Sequence, residues 1–134
     1  MKNNIYHGNL LNTSFKNEEF LKKYKILEKR KSNRDEWVHY LVAISVNELD
    51  DVIADIKANL LPTIYYAHLY NEDGSDIIVI FPLKVFRLSE KDEEGWKEVK
   101  RYMGEHGILI ERWKDAKPKT FQEEVIYYAD KPLV

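Results

Sequence analysis

From Trp37 to Val46 a period of two sets the hydrophobic Val38, Tyr40, Val42, Ile44 and Val46 on one side and the mixed set Trp37, His39, Leu41 and Ala43 on the other. That period of two, in a stretch rich in β-branched and aromatic residues, predicts a strand whose first set faces the core. At Asn47 the period changes. Leu49, Val52, Ile53, Ile56 and Leu60 recur at offsets of 3, 4, 7 and 11 from the first, behind the capping-box-like start Asn47-Glu48-Leu49-Asp50. This predicts a helix with Glu48, Asp50, Asp51 and Asp55 in solvent, ended by Pro62.

The same reading extends in both directions. Upstream, Asn17 to Lys23 carries an Asn cap followed by Glu18 and Glu19, the signature of a short helix. Tyr24 to Lys31, the polar cluster Ser32 to Asp35 and the strand from Trp37 read as a β-hairpin, the alternative being a continuation of that first helix. Downstream, Thr63 to Tyr70 and Asp76 to Leu88 are strand-like on either side of an Asp73-Gly74 turn. Pro82 calls for a bulge or an edge, with Lys84 to Leu88 either continuing the strand or forming a separate one. Ser89 to Asp92 caps a second long helix bearing Trp96, Val99 and Met103 and ending near His106. Ile108 to Ile110 reads as a short strand and Lys114 to Lys119 as a loop. Thr120 to Tyr128 is open: Thr120 with Glu123 favours a helix, Val125 to Tyr128 a strand.

From residue 36 the order is β-α-β-β-α-(β), which predicts an α+β fold. The expected form is a ferredoxin-like split βαβ sandwich, an antiparallel sheet with two helices on one face and an N-terminal arm and hairpin in front. The chain is expected to form one domain, divided into an arm and hairpin (1–35), an α+β core (36–110) and a C-terminal extension (111–134).

The face away from those helices gathers the candidate chemistry. Trp37 and His39 lie on it in one strand and Tyr66, His68 and Tyr70 in the next, while Ala67 and Leu69 suit packing beneath a helix. His7 can reach the same face on the arm. We therefore expect His7, Trp37, His39, Tyr66, His68 and Tyr70 to line a ligand-binding surface able to change charge near neutral pH. Three coverings fit the rings. The arm could bury them with Tyr6, Leu10 and Phe15, a second copy could cover them in a homodimer, or a ligand or nucleic-acid base could stack there.

Composition narrows these choices. The 134 residues hold 21 Lys and Arg against 23 Asp and Glu, a net charge of -2, so no overall cationic field favours nucleic acid, and no RNP1-like string is present. With no cysteine there is no thiol nucleophile, CxxC pair or Cys-based zinc site. His7, His39, His68 and His106 include no pair at helical metal-ligand spacing, and neither a metal nor another cofactor is expected. Asn71, Asp73, Gly74 and Asp76 resemble a fragment of a calcium loop but suit a tight turn between strands better. Residues 16 to 34 carry eight basic and three acidic side chains, which reads as a solvated hairpin deterring edge pairing before it reads as an anion site. No apolar run of membrane-spanning length occurs, and the start Met1 to Gly8 lacks a signal-peptide core. A cytoplasmic protein without membrane association is expected.

Tyr6-His7-Gly8-Asn9-Leu10, Tyr65 to Tyr70, Ile77 to Phe81 and Lys84-Val85-Phe86 resemble segments of a group of small prokaryotic proteins of uncharacterised function. The resemblance runs to about Ile110 and implies a shared α+β domain, without an activity, cofactor or catalytic residue. The leading functional expectation is a non-enzymatic small-ligand-binding or regulatory module using the aromatic and histidine face. One alternative is a small enzyme with His39 or His68 as acid/base in an aromatic pocket; another is a protein–protein interaction module.

Overall fold

The first strand decides the topology. In a computed structural model, which describes residues 5–31, 38–61, 66–107 and 120–129, Ile5–Leu11 forms β1 and pairs along both of its edges. One neighbour is β3 (Val38–Ser45) and the other β4 (Ala67–Tyr70), both antiparallel to it. With β2 (Lys25–Lys31), β5 (Ile77–Ile80) and β6 (Val85–Leu88) the sheet has six strands in the order β2-β3-β1-β4-β5-β6, every pair antiparallel. Among the described residues the helices are α1 (Leu49–Asn59), α2 (Glu93–Glu105) and α3 (Phe121–Ala129).

The α+β class and the β2–β3 hairpin match expectation, and the strand order differs. Because β1 is antiparallel to both β3 and β4, those two run parallel to each other with α1 in the connection between them. A ferredoxin-like order would place the strand after the Asp73-Gly74 turn in the gap. Here β1 fills the gap, and β5 and β6 continue outward from β4 as a meander. The N-terminal segment is thus an inner strand and not an arm across the sheet. Gly8 suits this close pairing: a Cβ there would lie 2.5 Å from Leu69 Cδ2, so a larger residue requires the buried Leu69 side chain to shift.

Helices cover both faces, where two on one face were expected. The α1 side holds Leu49, Val52 and Ile56 against Leu10, Val42, Ile44, Leu69, Ile78 and Ile80. The opposite side holds Val99 and Met103 of α2 against Tyr70, Ile77, Val79 and Phe81, with Trp96, Tyr102 and Phe121 packed on them. Burying each such aliphatic side chain contributes about 1.5–3 kcal/mol, so neither face is a minor core. Strand β5 is fully buried along its whole length, its alternate residues serving the two cores.

Local chemistry fixes the ends of the elements. Asn17 accepts from the Glu19 amide as expected, but Glu18–Lys23 is a 3-10 segment. Before α1 the chain makes a 3-10 turn, Val46–Glu48, so the helix proper starts at Leu49. Gly74 takes a φ of 76°, the positive angle that the Asp-Gly turn requires. At Pro82-Leu83 the chain reverses, with Phe81 and Lys84 exchanging backbone hydrogen bonds at 2.8 and 3.3 Å, and β6 is a separate strand. Asp92 caps α2 through the Gly95 amide at 2.9 Å, and the helix gives way at His106 and Gly107. Thr120 Oγ1 accepts from the Glu123 amide at 3.0 Å, so residues 121–129 take the helical alternative. Trp37, the turn at 32–35, the strand expected at 108–110 and the loop at 114–119 lie outside the described residues.

At one end of the sheet three distant residues are tied together. The Tyr6 hydroxyl donates to Asp76 Oδ2 at 2.5 Å, and Arg87 donates to both oxygens of the same carboxylate at 3.0 and 2.7 Å. The Arg87 guanidinium holds the Asp76 carboxyl below its ordinary range, while burial and then the Asp76 charge push the Tyr6 phenol up. The cluster locks β1 to β6 across the two strands between them. No helix of the described residues is long and apolar enough to cross a membrane.

Candidate functional site

Residues directly opposite each other in neighbouring strands share a face, so the register sorts the candidate side chains. His7 pairs with Ala43 on one side and Tyr70 on the other, Asn9 with Leu41 and His68, and Leu11 with His39. On β2, Arg30 lies opposite His39 and Glu28 opposite Leu41, after a bulge between Ile26 and Glu28. His7, His39, His68 and Tyr70 therefore occupy one face, the side of α2 and α3. Asn9, Glu28 and Arg30 join them there to make a polar seam across the sheet.

The seam is closed over much of its length. Tyr70 is 0% exposed and His68 4%, both covered within the single chain. Their rings stack with centroids 5.6 Å apart. Tyr66 packs beside Phe81 at 5.8 Å and belongs to the α2 core, one step removed from the histidines. The N-terminal covering contemplated for these rings is absent: Tyr6, Leu10 and Phe15 are in the core on the α1 side. The rings are covered instead by α2 and by the first turn of α3, elements whose sequence pattern does not reveal which face they choose.

His7 is where α3 meets the seam. Phe121 stacks flat on the imidazole, centroids 3.9 Å apart and 13° between planes, and meets Tyr70 edge-on at 6.3 Å. One turn later, Glu124 reaches the same ring in its plane, with Oε2 2.7 Å from His7 Nδ1. Where Glu124 is ionised its carboxylate accepts and Nδ1 donates. Glu124 is 7% exposed, a degree of burial that a carboxylate tolerates only when paired. The helix is anchored further by the Phe121 amide, which donates to the Glu72 carbonyl at 2.9 Å. Its apolar residues Val125 and Ile126 point away, at 70% and 71% exposure.

At the other end of the seam, burial and then the Arg30 charge push His39 down to about 4, so this imidazole is neutral at physiological pH. Beside the start of α3 lies an open depression of about 700 Å³, bounded by the carboxylates of Glu72, Asp73, Glu90 and Glu123 and by Phe121. These carboxylates do not converge, and among the described residues no three His, Asp or Glu side chains could hold a metal ion.

The sequence reading did not pick out Asn9, Phe121 or Glu124. Asn9 alternates with His7 on β1 and could have been found once that segment was read as a strand. Glu124 could not be found by patterning, because a helix of Phe121, Val125 and Ile126 predicts those residues inside, whereas the fold buries Phe121 with Glu124 and exposes the other two. Comparison of the chain with protein-family models, with curated proteins and with solved structures gives no match, and the site is read from its geometry alone.

Proposed function

We propose that the protein is a non-enzymatic small-ligand-binding module, in which the sheet face carrying His7, Asn9, His39 and His68 receives the ligand. The observation that carries this reading is the polar seam itself. Three imidazoles and a buried amide are placed on strands of one face, where hydrophobic side chains would give a more stable core. A polar ligand, exchanging interactions with groups that are otherwise partnered within the chain, is a physical reason to place them on one face.

Ligand-observed NMR on the full chain, with a panel of anionic, cationic and neutral aromatic fragments, tests this reading. Binding that shifts the imidazole signals of His7 or His68, and that weakens at least tenfold in His7→Gln, is the expected result. If no fragment of any class perturbs these histidines, the reading is wrong.

A further inference from the structure

We infer that the ligand is an arylalkanoate, a flat ring and a carboxylate joined by one or two methylenes, and that α3 acts as its built-in competitor. This inference rests on the ligand-binding reading above and names the ligand class. The contact that α3 makes with His7 has two parts, a ring laid on the imidazole face at 3.9 Å and a carboxylate oxygen in the imidazole plane 2.7 Å from Nδ1. Phe121 and Glu124 supply the two parts from successive turns of one helix, about 4.5 Å apart along its axis. A single small molecule with that spacing reproduces both parts and leaves Tyr70 as the edge-on wall that it already forms for Phe121.

Displacement of α3 is the step this requires. The helix has nine residues, too short to be stable alone in water, its backbone passes beside β2, and the contacts to His7 and Tyr70 come from Phe121 and Glu124. Val125 and Ile126 add little to hold it, because both are mostly in solvent. Releasing α3 uncovers His7 and the edge of Tyr70 without disturbing the strands, which are fixed by their own pairing. An internal group at high effective concentration weakens the apparent affinity of a free ligand by the fraction of time that the seat is filled. Glu72, Asp73 and Glu90 line the depression beside Phe121, and salt near physiological strength screens such charges from an anionic ligand beyond about 8 Å.

The probe is 3-phenylpropionate, with its dissociation constant measured calorimetrically at about 0.15 M salt for wild type, Phe121→Ala and Glu124→Gln. Glu124→Gln keeps the size of the side chain and serves if Phe121→Ala does not fold. Weak binding to wild type and at least tenfold tighter binding to a folded variant is the expected result. Equal affinity for wild type and variants overturns the competitor role, and absence of binding to all of them overturns the ligand class. In both cases the ligand-binding reading survives if a panel fragment still shifts His7 or His68, and falls if none does.

Discussion

His39 shows how one residue's surroundings set a measurable property of the whole chain. Burial and the facing Arg30 disfavour the imidazolium and lower the folded-state value to about 4, against about 6.5 for an unperturbed imidazole. Between those limits the unfolded chain binds a proton at this position and the folded chain does not, so stability rises with pH across the interval and falls on acidification. His39 therefore contributes a loss of roughly 2 kcal/mol between pH 7 and pH 4, the full shift being discounted for a partly exposed ring. Urea unfolding at the two pH values should show wild type losing more stability than His39→Gln by about that amount. Equal losses would mean that the folded protein protonates His39 freely.

At the level of elements, β1 carries the fold, and Gly8 is its most constrained position. Tyr6 and Leu10 fill the α1 side of the strand, and the space between them belongs to Leu69 of β4. Gly8→Ala must displace a fully buried leucine, and overpacking of this kind costs about 1–3 kcal/mol. Thermal unfolding should show the loss; an unchanged or raised midpoint would mean that β1 and β4 can move apart freely. The sequence made β2, β3, α1, β4 and α2 legible because each has a clean period and a recognisable end. It hid the role of β1, since Ile5–Leu11 alternates around a glycine and reads equally well as an arm. One sign of the arrangement lies in Ile77-Ile78-Val79-Ile80-Phe81, which has no polar alternation; in so short a strand this accords with cover on both faces. His39 and His68 could be placed on one face by period alone. Their covering by α2 and α3 depended on which side each helix packs, and local pattern does not encode that choice.

For the molecule as a whole, the two cores have different characters. The α1 side is mostly aliphatic, with Tyr6, Phe15 and Phe20 among its residues, and locks the sheet through Leu10, Val42, Ile56 and Leu69. The other side is aromatic beneath α2 and turns polar toward β1, β3 and β2, where Asn9, His39, Arg30 and Glu28 follow His7 along the seam. The short helix at the boundary between aromatic and polar regions buries the Glu124 carboxylate with Phe121 and leaves Val125 and Ile126 outside, a departure from ordinary amphipathic packing. On the ligand-binding reading, the rigid face supports a seat and the weakly held helix fills it. The most direct test follows the His7–Phe121 contact itself, as nuclear Overhauser effects between the two rings in the full chain during a titration with 3-phenylpropionate. The expected result is that these effects fade in proportion to ligand bound while effects between ligand and His7 appear. Undiminished His7–Phe121 effects at saturation would contradict the account.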